Sequence, residues 1–386
     1  MDEVRILLQG TERAVSFCPV SAQVSRSRKE LESCELFDTA RGAPVPFQSE
    51  SATGGAVVHW IVDSLAAGQR REYVLREATA AADAPQVRVE PEDEGSVAVS
   101  IGGELFTRYI QGDSASKPCL YPVMGPFGSG VTRAYPQEEV EGDSTDHVHH
   151  RSLYVAWGDV NGSDNWSEEE GHGRMAHRYF EDAAGGPVFG RLVSLNDWLD
   201  VEGSRLLQDR LEYRFYNTPP AFRLFDLDVT LYASDGEVRF GDTKEGGIIS
   251  IRVASPLQAD RTGRIENSLG GANESETWGK RAAWCDYSGR LGDHTAGIAA
   301  FDHPSNLRYP TYWHVRDYGL MTANPFGLSF FVDKNADGSY VLPAGGRLRF
   351  RYRVHVHAGD AREGRVGEKY LEWLFPPRAA VQEGTG

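Results

Sequence analysis

Residues 348–354 read Leu-Arg-Phe-Arg-Tyr-Arg-Val, an unbroken alternation of apolar and basic side chains. Similar alternation occurs at residues 211–216 and 225–231. Because successive side chains of a β-strand point to opposite faces, this period of two predicts strands with one buried face and one polar face. Helical periodicity is nearly absent, and turn-forming residues such as those at 335–338 separate the runs. The sequence therefore predicts an all-β protein.

The distribution of these strands predicts two domains. Residues 1–85 form a small N-terminal β-sandwich domain, and an alanine-rich link at residues 78–85 leads into the main domain, residues 86–386. The strands of the main domain are too many for one compact sandwich of about seven or eight, so we expect a large two-sheet β-sandwich. An apolar stripe over residues 361–375, followed by two prolines, predicts a short C-terminal helix.

Composition and charge exclude several functional classes. The net charge is −16, from 56 acidic and 40 basic side chains, and such a surface repels nucleic acid. The sequence contains neither a membrane-spanning apolar run nor the apolar stretch of a secretory signal, so we expect a cytoplasmic protein without membrane partners. The four cysteines are scattered and predict reduced thiols. Serine hydrolases, P-loop NTPases and nicotinamide enzymes are disfavoured because their glycine-rich motifs are missing.

Five of the eleven histidines fall between residues 147 and 177, and the densest group is the Asp-His-Val-His-His-Arg segment at 146–151. The segment precedes an apolar strand, so we expect it at the mouth of a pocket, with His147 and His149 on one face and His150 on the other. Imidazole titrates near neutral pH and suits proton transfer, which makes His149 and His150 candidate catalytic residues. Two alternatives stay open: ligation of a divalent metal at 146–150 and a hydrogen-bonded loop without chemistry.

A second group of polar residues runs from residue 302 to residue 318. His303 follows an apolar strand, and His314 and Arg316 share one face of the next predicted strand, with Trp313 and Asp317 on the other. Histidine beside arginine and aromatic rings is typical of a sugar site, so His303 and His314 are candidate catalytic residues. The alternative is an Arg–Asp network that only joins the sheets.

A third candidate is Glu245, which precedes two glycines and is a candidate catalytic carboxylate, although a solvated turn is the alternative. Arg349, Arg351 and Arg353 alternate with apolar residues, followed by two histidines in the same register, and we expect this row on the solvated face of a sheet rather than in a pocket. The remaining predictions are substrate-binding residues: Lys117, Arg151, Asp159, Asn161, Trp166, Lys280, Trp313, Arg316 and Asp317.

Several motifs together resemble the family labelled methane oxygenase PmoA-like, over roughly residues 90–360. They are the segments at residues 117–126, 146–153, 158–162, 242–246, 278–287, 302–304, 313–320 and 324–327. The resemblance implies a galactose mutarotase-like β-supersandwich, a fold shared with aldose epimerases, polysaccharide lyases and some glycosidases. It does not imply a membrane protein, because membrane methane monooxygenase subunits are mostly transmembrane helix.

Taken together, the sequence predicts a carbohydrate-active enzyme that uses histidine and carboxylate acid–base chemistry. The expected reaction is cleavage of a glycosidic bond, by hydrolysis or elimination. Mutarotation or epimerisation of an aldose and non-catalytic carbohydrate binding are the alternatives. The expected partner is a small carbohydrate or glycoside, no cofactor is required by the sequence, and the sequence sets no oligomeric state.

Overall fold

The computed structural model describes residues 3–79, 86–111 and 116–383. The described chain folds into antiparallel β-sheets connected by turns and a few short helices. The all-β prediction is therefore confirmed. Of the predicted link at residues 78–85, residues 80–85 lie outside the described part of the chain.

The small unit at the start of the chain consists of two sheets packed face to face. Its elements are β1 (Val4–Gln9), β2 (Val15–Val24), α1 (Arg28–Leu31), β3 (Cys34–Asp38), β4 (Ala43–Val45), β5 (Phe47–Ala52), β6 (Gly55–Leu65) and β7 (Arg70–Glu77). Alternation along β6 buries Ala56, Val58, Trp60 and Val62 between the two sheets. This buried row gives the small unit its own hydrophobic core.

The main unit contains two large sheets. Its strands are β8 (Val87–Pro91), β9 (Val97–Ile101), β10 (Glu104–Ile110), β11 (Cys119–Leu120), β12 (Leu153–Trp157), β13 (Arg174–Ala184), β14 (Phe189–Leu199), β15 (Arg205–Tyr216), β16 (Phe222–Tyr232), β17 (Val238–Phe240), β18 (Gly246–Arg252), β19 (Arg264–Asn267), β20 (Lys280–Arg281), β21 (Trp284–Leu291), β22 (His294–Asp302), β23 (Tyr312–Arg316), β24 (Leu320–Asn324), β25 (Tyr340–Leu342) and β26 (Arg347–Ala358). Its helices are α2 (Asn273–Thr277), α3 (Leu328–Phe331) and α4 (Val366–Leu374).

The nine-stranded sheet has the order β20-β23-β24-β18-β12-β11-β10-β9-β8, and the eight-stranded sheet has the order β13-β14-β15-β16-β26-β22-β21-β19. Large apolar side chains from both sheets fill the space between them, as in the edge-to-face pair of Phe106 with Phe225. The predicted two-sheet sandwich is thus present, and each sheet keeps one face outside this core.

The alternation of residues 348–354 is realised in β26, at the centre of the eight-stranded sheet. Phe350, Tyr352 and Val354 face the core between the sheets. The expectation that the opposite row is solvated is wrong for its second half, because Arg353, His355 and His357 are also buried. Helix α4 and the small unit cover that end of the strand, as in the contact of Arg353 with the Trp373 ring, and local alternation cannot report such a cover.

The predicted C-terminal helix is α4, and Pro376 and Pro377 follow it. The chain then returns to the small unit, where β27 (Arg378–Glu383) pairs antiparallel with β1, Ala380 opposite Leu7. The boundary at residues 85 and 86 stays a prediction, but the last strand lies with the small unit rather than with the main one. In the described part of the chain, no helix has the length and apolarity needed to cross a bilayer.

Candidate functional site

A row of buried polar side chains crosses the outer face of the nine-stranded sheet. Tyr154, Ser250, Thr322 and His314 are paired in register across β12, β18, β24 and β23. Their neighbours along each strand, such as Ile251, point into the core between the sheets, so this row faces the opposite side. Burying a polar row is costly unless its groups find partners, and such rows therefore concentrate at functional sites.

The three histidines of the 147–150 segment converge at one end of this row. The ring centroids of His147 and His150 are 4.7 Å apart, and those of His149 and His150 are 4.4 Å apart. One nitrogen from each ring lies within 4.8 Å of the others. The expectation of a strand with His150 on the opposite face is wrong, because His147 adopts a left-handed conformation, φ 45°, and begins a turn.

Two fully buried arginines hold this turn from behind. Arg133 and Arg252 both donate to Asp146 Oδ1 over 2.7 Å, and Arg133 also donates to the backbone oxygen of His147 over 2.8 Å. Arg252 Nη1 lies 3.1 Å from His150 Nδ1. A guanidinium only donates, so Nδ1 accepts, and the proton of the neutral ring is on Nε2.

Burial and neighbouring cations keep the three imidazoles neutral. Burial, together with the charge of Lys117, lowers the pKa of His149 to about 4. Burial also lowers the pKa of His147, and it lowers that of His150 well below its usual range with help from the other histidines and Arg252. A neutral imidazole at pH 7 offers one nitrogen as acceptor and one as donor, which is what proton transfer requires.

Glu245 directly precedes β18, and His314 on β23 contacts the backbone of its neighbour Lys244. Glu245 pairs with Lys244 and keeps 44% of its side chain exposed, while His314 Nδ1 is 2.9 Å from the Lys244 oxygen. Burial lowers the pKa of His314 to about 4, and the negative charge of Glu245 opposes that shift. The same charge acts on His147 and on His149. The carboxylate therefore lies within electrostatic range of histidines from two separate segments.

One ring nitrogen of His314 is without a hydrogen-bond partner among the described residues. This atom, Nε2, is also buried. Asn324 holds the backbone on both sides of Glu245 in place, because its Nδ2 donates to the backbone oxygens of residues 243, 244 and 246. An orphaned polar atom beside a rigid turn is a place where a ligand group can bind.

Two half-buried aromatic rings lie against these histidines. Tyr318 stacks on His147 with a centroid separation of 5.1 Å, and Arg252 lies 4.8 Å from the Tyr318 ring centre. Trp278 lies edge-on to His314 at 6.5 Å. We call the set His147, His149, His150, Glu245, His314 and Tyr318 the histidine site.

The model of a family of unknown function, DUF6807, matches residues 96–370. The chain belongs to this family. The matched segment contains the whole histidine site and leaves out the small unit. The expected PmoA-like resemblance is wrong, since the family that matches is DUF6807 and nothing names a methane oxygenase. No curated protein matches the sequence.

Two solved structures from Enterococcus faecalis are similar to this DUF6807 protein. One is a protein in the glycosyl hydrolase family 38, with 11% identity and a TM-score of 0.43 over 100% of this chain and 48% of that one. The other is an alpha-mannosidase of strain V583, with 10% identity and a TM-score of 0.44 over 100% of this chain and 47% of that one. The DUF6807 chain thus spans about half the length of these enzymes.

Three of the predicted binding residues lie behind the histidine site. Lys117 is buried and donates to the backbone oxygens of Trp166, over 2.5 Å, and His149, over 3.3 Å. Arg151 forms a two-pronged pair with Glu168, at 2.6 and 2.7 Å, and Trp166 is almost fully buried. Lys117 and Arg151 are thus engaged inside the protein, whereas Trp166 Nε1 is buried and has no hydrogen-bond partner among the described residues.

Other predicted residues are not brought to the site. His303 was expected beside the other histidines, but it lies at the outer face of the eight-stranded sheet, with Nε2 3.1 Å from Arg351 Nη1. Asp159 and Asn161 stabilise the turn of residues 159–162 and its contact with β17. Trp313 is buried and donates to the Ala282 oxygen.

Arg316, Asp317 and Lys280 lie at the rim of the nine-stranded sheet. Arg316 pairs with Glu274 at 3.1 Å, and Asp317 accepts the backbone N–H of Glu274 over 2.9 Å. Lys280 is exposed on β20. Their expected role in orienting hydroxyl groups stays a prediction.

Sequence reasoning missed Arg252 and Glu168, which join Arg133 and Asp146 in the frame behind the histidines. One signal was available for Arg252, because it ends the otherwise apolar segment Gly246–Arg252, where a charge needs a partner. Glu168 lies in an irregular segment, so no periodic pattern marks it.

Proposed function

We propose that this DUF6807 protein is an enzyme that cleaves a glycosidic bond by acid–base catalysis at the histidine site. The observation that carries the proposal is the cluster of His147, His149 and His150, whose nitrogens lie within 4.8 Å of one another. Glu245 lies within electrostatic range of this cluster and of His314, and His314 Nδ1 is 2.9 Å from the backbone oxygen of the neighbouring Lys244. Paired titratable groups with shifted pKa values are the usual equipment of proton-transferring sites.

Each group has a distinct part in the proposed reaction. Glu245 is the exposed carboxylate, and it either takes a proton from a water that attacks the anomeric carbon or attacks that carbon itself. The protonated fraction of His149 gives its proton to the leaving oxygen as the bond from that oxygen to the anomeric carbon breaks, and solvent returns the proton to His149. His314 Nε2, which has no partner among the described residues, binds a sugar hydroxyl. Proton transfer of this kind contributes on the order of 10²–10⁴-fold to the rate.

The lining of the site supports a carbohydrate as the substrate. Tyr318 and Trp278 offer apolar ring faces, while Glu245, His147 and Arg316 offer directional hydrogen bonds around them. Sugars present the same combination of apolar ring faces and hydroxyl edges, so the chemistry is complementary.

The experiment is a screen of glycosides against the full chain, with product analysis by NMR. Release of a reducing sugar supports hydrolysis. An unsaturated product instead indicates elimination at the same site. A changed ring configuration with the glycosidic bond intact indicates epimerisation there. We expect His149→Ala and Glu245→Gln to lower turnover at least 100-fold, while Tyr179→Ala, an exposed aromatic on β13, keeps it. Normal turnover in folded His149→Ala and Glu245→Gln proteins overturns the assignment.

A second candidate function is metal-dependent hydrolysis, favoured by the three nitrogens within 4.8 Å of one another. Three histidines with an open position are the donor set of many catalytic zinc sites. His147 and His149 fit this function, but His150 must first give up its contact with Arg252, because its Nδ1 accepts there and its Nε2 holds the proton. Stoichiometric metal in the purified protein, measured by elemental analysis, supports this candidate over the first.

A further inference from the structure

A large cleft that shares no lining residue with the histidine site lies between the small unit and the outer face of the eight-stranded sheet. Its volume is 1240 Å³, and none of the residues at 147–150 lines it. The floor comes from β15, β16 and β26, one wall from β1, β2 and β6 with the loop after β1, and the other wall from α4 and the segment that follows. The cleft is therefore built where the chain's two ends meet.

The floor carries two rows of charged side chains in register. Glu212, Asp228 and Arg351 are paired across the three strands, and the next row contains Asp226 and Arg353. Arg353 donates two hydrogen bonds to Asp226, over 2.5 and 2.8 Å. Arg351 is less completely hydrogen-bonded. Arg351 Nε is buried without a hydrogen-bond partner among the described residues, and Asp228 Oδ1 lies 3.5 Å from it. The floor thus keeps an unsatisfied guanidinium N–H, that of Arg351 Nε, while Asp228 accepts from Arg349.

Aromatic rings border these charges on the α4 side. Trp373 is partly exposed, with the Arg353 guanidinium 5.4 Å from its ring centre and the His303 ring edge-on at 5.0 Å. Phe375, two residues further on, is 61% exposed. A tryptophan fixed by a cation beneath it and a histidine beside it presents a rigid apolar surface to the cleft. This position also accounts for His303, which the histidine site does not use.

The lining is electrically balanced, which narrows the class of ligand. It contains six arginines and six carboxylates, namely Arg13, Arg214, Arg349, Arg351, Arg353 and Arg378 with Glu12, Glu212, Asp226, Asp228, Glu368 and Glu372. Such a lining gives neither a polyanion nor a polycation a net electrostatic attraction. It suits a neutral polyol, because each hydroxyl group can donate to a carboxylate and accept from a guanidinium.

The size of the cleft narrows the class further. Pockets for drug-sized molecules have volumes of about 300–1,000 Å³, so this cleft is larger than one sugar ring needs. We propose that the cleft binds a neutral oligosaccharide, with one ring stacked on Trp373 and the neighbouring hydroxyls on Arg351 and Asp228. The site is separate from the histidine site and does not depend on the catalytic proposal.

The test is affinity electrophoresis of the full-length protein in native gels that contain soluble neutral polysaccharides of glucose, mannose, xylose or galactose. We expect at least one of them to retard the protein. Trp373→Ala and Arg349→Ala, the latter an exposed cleft residue, are expected to weaken the retardation about tenfold. Tyr179→Ala supplies the matched control, since Tyr179 is 55% exposed and does not line the cleft.

The outcomes separate this proposal from the catalytic one. Glu245→Gln should lower turnover at least 100-fold and leave the retardation unchanged. Trp373→Ala should weaken the retardation about tenfold and leave the turnover of a short substrate unchanged. The proposal is overturned if no polysaccharide of the panel retards the protein, or if the retardation persists in Arg349→Ala and in a Trp373→Ala protein that circular dichroism shows to be folded.

Discussion

Arg252 Nη1 donates to His150 Nδ1 over 3.1 Å, and both side chains are buried beneath the loop that carries the histidines. The same guanidinium donates to Asp146 over 2.7 Å. One buried cation therefore sets the tautomer of a histidine and anchors the turn from which that histidine projects. Because neither partner is close to Arg252 in sequence, this contact ties the 146–150 turn to the end of β18.

Replacing Arg252 with alanine should destabilise the fold. The change leaves Asp146 and His150 without their shared donor and opens a cavity, and we expect a loss of about 2–4 kcal/mol in the free energy of unfolding. Urea denaturation followed by tryptophan fluorescence measures it. Arg178→Ala is the control, because Arg178 also pairs with an aspartate but is 59% exposed, and it should change stability by about 0.5 kcal/mol or less. Equal losses in the two variants contradict the interpretation.

Stability should fall as the pH drops below neutrality. The folded-state pKa values of His149 and His314 are about 4, below the value of about 6.5 expected in the unfolded chain. Between those two values the unfolded state binds protons that the folded state does not, so the free energy of unfolding rises with pH. The contribution is complete above pH 6.5 and is lost as the pH falls toward 4.

Urea denaturation at pH 7, 6 and 5 measures this dependence. A His314→Gln variant, which cannot titrate, should show a shallower decline over the same range. A stability that stays constant or increases on acidification from pH 7 to pH 5 is inconsistent with the assigned pKa directions.

Glu245→Gln should shift the titration of the nearby histidines. The negative charge of Glu245 raises the pKa of His147, His149 and His314, so its removal should lower all three further. The imidazole resonances in a histidine-labelled sample, followed by NMR from pH 8 to pH 4, report the change. Glu202→Gln, in the exposed turn after β14, should leave those resonances unmoved, and an equal effect of the two substitutions rules out the proposed proximity.

Gly158→Ala should displace Glu245 while leaving the fold intact. The Gly158 N–H donates to the backbone oxygen of Glu245 over 2.8 Å. A Cβ at residue 158 would lie 2.6 Å from that same backbone oxygen. The backbone must move, and a displacement of about 1 Å at a catalytic group can lower turnover about 100-fold. In Gly130→Ala the nearest atom is 3.9 Å away, so this control should retain full turnover and thermal stability. Unchanged turnover in Gly158→Ala speaks against a catalytic role for Glu245.

Part of the site could be recognised before the structure was known. The density of histidines near residue 147 and the Lys-Glu-Gly-Gly turn at 244–247 both mark residues of the histidine site. The sequence indicated His303 as a catalytic residue on equally good grounds, but His303 lies on the other large sheet. A short motif shows which residues can carry chemistry, but the sheet to which its strand belongs decides which partners they meet.

The alternation at residues 348–354 determined by itself that these residues form a strand, because the direction of successive side chains depends only on local backbone geometry. The apolar stripe before Pro376 determined a helix in the same way. Only the tertiary structure decided that Arg353 and His355 are buried, that His150 accepts from Arg252, and that Glu245 lies within electrostatic range of His149. Each of those outcomes depends on which distant strand is the neighbour and which segment covers the face, and contacts between distant residues have no local periodicity that reveals them.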